Sequence, residues 1–402
     1  NHDGQAGTVS ITDPTGGVAL TVGAGNGSST FDGLIQDAVG GVGSLKKLGS
    51  GTFTLTGANT YSDGTIVDGG TLGLAHSSAA GTGAITVLGS TIDYADTVNV
   101  ANPIDLQNDV TLNVATGGAT QSGPIGETGG SFGVTKTGSG TLTLTGNNSY
   151  AGGTTINGGI IAVSADANLG ATTGALTFDG GDLQFGASFD LDPARAIAIN
   201  AGGGKIRTNV FVTTISQGIT GAGGLVKEGT GTLTLTGGNT YSGGTTVNNG
   251  TLQIGNGGTT GSITGDVAVN SGDVLAFNRS NNLTFGGVIS GTGNVTKRGA
   301  GTLTVTGTNT YSGGTIIEGG TLSISSDGNL GDTSGPVTFE GGTLRTETLW
   351  TIFPVSRPFV ANGADAVFDI ASNGILNGGI SGTGGLVVTG SLIVQTTPFT
   401  YS

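Results

Sequence analysis

The sequence predicts an all-β protein: a right-handed parallel β-helix of roughly 18 coils, at about 4.8 Å per coil, with no α-helical domain. Three observations point there. A stretch of thirty residues recurs along the chain, its strands alternate with a period of two, and one interval between copies is short by about one coil. The stretch is 225–254, LVKEGTGTLTLTGGNTYSGGTTVNNGTLQI. It recurs at 45–74, 134–163 and 295–324, with a truncated copy at 386–402. The tyrosines Tyr61, Tyr150, Tyr241, Tyr311 and Tyr401 register the copies at intervals of 89, 91, 70 and 90 residues.

Composition suits such an array. Glycine supplies 84 of 402 residues and proline only 8, and glycine has no three-residue period, which excludes collagen. Apolar content is 35 % and charged content 9 %. Disordered chains carry more charge and less periodicity. There is no cysteine, hence no disulfide or thiolate metal site. No run of 18 apolar residues and no signal-like segment is present, so no membrane insertion is expected. The net charge of −14 argues against nucleic acid or anionic membrane as a partner. The start at Asn1-His2-Asp3 and the break inside the fifth copy are expected of a segment from a longer, processed protein.

Residues 1–44 hold short apolar runs, VSI, VALTV and TFDGLI, bounded by glycine-rich turns. Within each repeat, Thr232-Leu233-Thr234-Leu235-Thr236 and its equivalents alternate outward threonine with inward leucine, as a half-buried strand does. Gly-x-Asn-Thr-Tyr then breaks the strand. Asn59, Asn148, Asn239 and Asn309, with Tyr61, Tyr150, Tyr241 and Tyr311, are expected to shape this corner, because asparagine and glycine tolerate the left-handed conformation a tight turn needs. Two short strands follow. Two further coil types lie between repeats: 164–185 is echoed by 325–345, and 193–207 by 354–369. The interval from Tyr241 to Tyr311 lacks the second type, so about 20 residues drop out and the pattern resumes in step. A solenoid loses one rung this way, where a globular domain would lose part of its core. The organisation expected is a single continuous β-helix over 1–402.

The elements K-x-G-x-G-T-L-T-L-T-G-x-N-T-Y-S-G-G-T-T-V-x-x-G-T-L, starting at Lys47, Lys136, Lys227 and Lys297, resemble the passenger-associated transport repeat of bacterial autotransporters. The fifth copy departs, with Val388 in place of the lysine. The resemblance implies a β-helical passenger carried through the outer membrane of a Gram-negative cell by its own C-terminal translocator barrel, a partner absent from this chain. It implies a place at the cell surface and adhesion or self-association, through the same protein on neighbouring cells or through host-surface and matrix molecules. It names no ligand.

No catalytic constellation stands out, and no cofactor or metal is expected. The only histidines are His2 and His76. Gly331-Asp332-Thr333-Ser334-Gly335 lacks the order of a serine-nucleophile motif. Asp190, Asp192, Arg195, Lys205 and Arg207 could line a carbohydrate-active groove, or be solvated edge charges. Asp179 with Asp182, or Asp365 with Asp369, could offer oxygens to calcium, without the repeated motif of calcium-binding solenoids. Lys47, Lys136, Lys227 and Lys297 read as a solvated corner, with a ladder of ligand contacts as the alternative. Trp350 and Phe353, in the most aromatic segment, read as packing, with ligand contact as the alternative. An ice-binding threonine ladder would need consecutive coils, and the Thr-Leu-Thr-Leu-Thr string occurs once per repeat.

Overall fold

A computed structural model describes residues 7–11, 18–347, 350–353, 356–377, 379–394 and 400–401. The chain is an all-β parallel solenoid of about 17 turns among these residues, against the roughly 18 expected. Short 3₁₀ turns, Asp166–Leu169 and Asp327–Leu330, interrupt the strands. The chain divides into two compact units, Asn1–Gly204 and Lys205–Ser402.

In the first unit the strands pair in parallel with strands about a coil away along the chain. One sheet runs through Val18–Val22, Gly43–Leu48, Thr65–Asp68, Ile85–Val87, Ile104–Leu106 and Ile125–Glu127. Its register, Leu45 to Thr65 to Ile85 to Ile104 to Ile125, sets a rung of about 20 residues. A rung of that size matches the segment missing between the third and fourth copies. A second sheet carries Thr52–Leu55, Thr71–Leu74, Thr91–Tyr94, Val110–Asn113, Val134–Thr137, Thr154–Ile156 and Leu176–Phe178 in spatial order. The second unit has the same construction, with one sheet through Val212–Ile215, Thr232–Leu235, Thr251–Ile254, Val274–Asn278 and Asn294–Arg298.

Each thirty-residue repeat pairs with itself across two successive turns. In the third copy Leu225–Glu228 pairs with Thr245–Asn248, and Thr232–Leu235 pairs with Thr251–Ile254. The other copies repeat this pairing. The repeat therefore contains both partners of two ladders, and its sequence strings together four strands of two successive coils. Inward residues stack into columns such as Phe53, Leu72, Ile92 and Leu112, all buried. Burying such columns stabilises at about 25 cal/mol per Å² of apolar surface. In the second unit Phe353, Phe359 and Phe368 form an edge-on aromatic cluster, with Phe353 and Phe359 centroids 5.3 Å apart.

Glycine closes the turn between the last two strands of each repeat. Gly70, Gly159, Gly250 and Gly320 hold φ of 60, 62, 75 and 61°, a region that costs other residues strain. A Cβ on Gly159 would also meet the Gly138 and Gly140 carbonyl oxygens at 2.4 Å. Gly159→Ala is expected to lower stability by about 1–3 kcal/mol, read as a fall in the urea unfolding midpoint.

Candidate functional site

The groups best suited to chemistry turn inward. Lys47, Lys136, Lys227 and Lys297 are fully or almost fully buried, which corrects the expectation of a solvated corner and removes them as ligand contacts. They sit in the apolar columns. Lys47 lies between Val22 and Val67, Lys136 between Leu112 and Ile156, Lys227 beside Val247, and Lys297 between Phe277 and Ile317. The alternation Val134-Thr135-Lys136-Thr137 points valine and lysine the same way, a signal present in the sequence.

Each ammonium donates to three backbone carbonyls, two on its own turn and one on the next. Lys227 Nζ donates to Glu228 O at 3.1 Å, Gly229 O at 2.6 Å and Asn249 O at 2.9 Å. Lys47 reaches Leu48, Gly49 and Gly69, and Lys297 reaches Arg298, Gly299 and Gly319. Lys136 reaches Thr137, Gly138 and Gly158. Burial disfavours the charge, so the amines of Lys136, Lys227 and Lys297 are pulled down to about 8, and that of Lys47 is lowered.

The corner residues are buried as well. Asn59 Oδ1 accepts the Ile35 N–H at 2.8 Å, and its Nδ2 donates to Ala79 O at 2.7 Å, so one amide ties three successive turns. Asn148, Asn239 and Asn309 do the same for Ile125 and Asn168, Ile219 and Ser262, and Ile289 and Asn329. None of the four has positive φ, so asparagine is used here for its amide and not for a left-handed backbone, which corrects the reason expected. Tyr61, Tyr150, Tyr241 and Tyr311 fill the corner, each hydroxyl 2.6–2.7 Å from the threonine four residues on. Burial pushes Tyr150, Tyr241 and Tyr311 up to about 12, and Tyr61 up too.

The remaining candidates are engaged in the scaffold. Arg195 is fully buried, which corrects its reading as a groove or edge charge. Its Nε and Nη2 grip the Asp166 carboxylate at 3.0 and 2.9 Å, and its guanidinium also donates to carbonyls of Leu169, Gly170 and Gly174. In the second unit Arg357 repeats this clasp on Asp327, with Leu330, Gly331 and Gly335. No local sequence pattern marks this clasp, since its partners lie about thirty residues apart. Lys205 and Arg207 both pair with Glu228, at 3.8 and 2.6 Å. Asp179, Asp192 and Asp365 each accept a backbone N–H, and Asp369 pairs with Arg345 at 2.7 Å. Asp332 accepts from Ser334 inside its own turn, which lowers its pKa. No cluster of metal-type ligands occurs among the described residues. Phe353 is buried in the aromatic cluster and so is no ligand contact, while the Trp350 and Tyr401 side chains lie outside the described residues. A shallow notch of about 460 Å³, lined by Ile263, Thr264, Asp266, Thr284 and Phe285, has one charged group, Asp266, which accepts the Val288 N–H.

What faces outward is a column of hydroxyls. In the first unit Thr52, Thr71, Thr91, Thr111, Thr135, Thr155 and Thr177 stand in register on consecutive strands, each half-buried. The outward threonines expected from the alternation therefore form a ladder on consecutive coils, although the Thr-Leu-Thr-Leu-Thr string occurs once per repeat. Its members come from repeats and from the text between them. Beside it run Thr54, Gly73, Asp93, Asn113 and Thr137, where Asn113 donates to Asp93 and accepts from Thr137. At about 4.8 Å per strand the threonine column is roughly 29 Å long.

Comparison with known proteins matches the Passenger-associated-transport-repeat model at 45–74, 134–163, 225–254 and 295–324. The chain carries passenger-associated transport repeats. These repeats take the same buried lysine, asparagine and tyrosine roles in all four copies. The chain is also similar to the adhesin BmaC autotransporter of Brucella suis biovar 1 (strain 1330), at 41 % identity over 208 residues. That alignment covers 52 % of this chain and 6 % of the relative, so the chain spans a small part of that protein's length. No solved structure matches.

Two outcomes test the buried lysines. Lys227→Met keeps the apolar stem but leaves three carbonyls without their donor, and is expected to cost about 2–3 kcal/mol, measured by urea unfolding. The pH profile is the second. Lysine titrates near 10.5 when unfolded and about 8 here, so between these values the unfolded chain holds more protons and stability rises with pH. The tyrosines act oppositely above their unfolded value of 10, where the unfolded chain loses protons first. Unfolding midpoints are expected to rise from pH 8 and fall above pH 10, with a shallower rise in Lys227→Met.

Proposed function

We propose that the chain is a surface-displayed passenger segment of an autotransporter that acts in adhesion, as a β-helical stalk without catalytic activity. The observation that carries this is the similarity to an adhesin autotransporter over half the chain, in a molecule whose lysines, buried arginines and corner residues serve the scaffold. The expected place is the outer surface of a Gram-negative cell, with the C-terminal barrel as the export partner.

Within this reading, contact is between copies on neighbouring cells, through the threonine column. A chain of net charge −14 repels its own copies wherever carboxylates face each other. The column carries no charge, and the carboxylates beside it are engaged: Asp93 accepts from Asn113, and Asp109 and Asp179 each accept a backbone N–H. The face offers on the order of 200–300 Å² per copy, well below the ~800 Å² of a stable interface. One pair is therefore weak, and many pairs between two surfaces add up. Cells displaying the full-length protein should clump or bind host-surface molecules more than cells lacking it. Equal behaviour in both assays refutes adhesion. Thr71→Glu/Thr135→Glu should leave the circular dichroism unchanged and abolish clumping, and clumping that persists refutes the threonine face.

A second reading is a module for export and folding. It is favoured by the pairing of each repeat with itself, which lets a turn form from local sequence. Deleting repeats would then impair secretion while leaving adhesion per exported molecule intact.

A further inference from the structure

The third repeat differs from the other three at one peptide unit. Where the other copies have Gly69, Gly158 and Gly319, this one has Asn249, followed by Gly250. Asn249 holds φ of 130°, a strained region for a residue with a side chain. Its side chain is exposed and makes no hydrogen bond among the described residues. The peptide between Asn249 and Gly250 is gripped at both ends. Lys227 Nζ donates to its carbonyl oxygen at 2.9 Å. Its N–H, on Gly250, donates to Asp273 Oδ1 at 2.8 Å. An ammonium on the oxygen draws electrons from the amide and acidifies the N–H. A carboxylate on that N–H is placed to take the proton. Lysine meets the equivalent carbonyl in all four copies. Only the third combines this contact with a side-chain amide next to the nitrogen and a carboxylate on it.

We propose that Asn249–Gly250 is a self-modification site, at which the chain converts its own asparagine through a succinimide to aspartate or isoaspartate. Asp273 takes the Gly250 amide proton as the nitrogen attacks Asn249 Cγ, forming the N–Cγ bond. The C–N bond of the side-chain amide breaks, and the nitrogen leaves as ammonia with the proton returned by Asp273. Water then opens the five-membered ring at either carbonyl. Opening at one gives aspartate with the main chain restored, and opening at the other gives isoaspartate with one more methylene in the backbone. Asp273 is suited to the base role, because burial raises its pKa above the ordinary carboxylate value. Glycine at 250 leaves the nitrogen open to the approach. The product places a carboxylate on the residue whose backbone carbonyl Lys227 binds, and the ring stage removes the N–H that ties this turn to the next.

The molecule holds its own control. Asn157–Gly158 has the same dipeptide in the second repeat, with an exposed asparagine side chain but no positive φ and no carboxylate on the glycine nitrogen among the described contacts. The folded full chain is held at mildly alkaline pH and sampled over weeks. Both sites are then quantified by peptide mass spectrometry, with an isoaspartate-specific methyltransferase assay. Position 249 is expected to convert roughly tenfold faster than 157 in the folded chain. The two rates should converge in urea. Asp273→Asn should remove the advantage while circular dichroism stays unchanged. Position 249 converting no faster than 157 in the folded wild type overturns the proposal. An advantage that survives urea, or that survives in Asp273→Asn, overturns it as well. The comparison of folded with unfolded wild type decides the matter even if the Asp273 variant fails to fold.

Discussion

Register between successive parallel strands is the constraint on which this structure depends. A strand that alternates threonine and leucine can slide by two residues against a similar neighbour and still bury its leucines. Buried polar side chains remove that freedom. Each asparagine at the corner binds one named N–H behind it and one named carbonyl ahead. Each inward lysine finds three carbonyls on two turns. A two-residue slip would carry these partners roughly 6–7 Å away and strand an ammonium in the core, a cost of several kcal/mol. The arginine–aspartate clasps at Arg195 and Arg357 do the same for the 3₁₀ turns between repeats.

The same constraint consumes the chemistry of the chain. Lysine, arginine and tyrosine are the groups that elsewhere hold substrates or move protons, and here many of them are spent on carbonyls and hydroxyls of neighbouring turns. Burial shifts the lysines down and the tyrosines up, which marks them as scaffold members and not as solvent-facing acids or bases. The first unit turns a hydroxyl column outward, uncharged and regularly spaced. An adhesive role fits that surface, because multivalent contact needs repetition and low repulsion more than a deep site.

The repeat copies also show how much one substitution changes. Three of them place glycine where the turn needs it, and the third places Asn249 at a strained φ between a lysine and a carboxylate. The scaffold tolerates this because the lysine binds the backbone oxygen, which every residue has. What changes is reactivity, since a side-chain amide now stands beside an activated nitrogen.

The sequence by itself determined the class of fold, the rung of about 20 residues and the boundaries of the four repeats. These follow from periodicity, because a period of two and a long recurring motif are properties of the chain alone. It also held the inward direction of the lysines, in the alternation Val134-Thr135-Lys136, but the ordinary expectation that lysine lies in water hid it. The outward direction of the threonines lay in the alternation as well, but tertiary structure decided which of them share one column, and it alone decided the clasps and the grip on the Asn249–Gly250 peptide. The column joins Thr52, Thr71, Thr91, Thr111, Thr135, Thr155 and Thr177 across unequal separations of 19 to 24 residues, and no period in the sequence marks it. Asp166 meets Arg195, and Gly250 meets Asp273, only because coils of unequal length stack in one register. Turn lengths vary while strand pairing does not, so the pairing decides which distant side chains share a face.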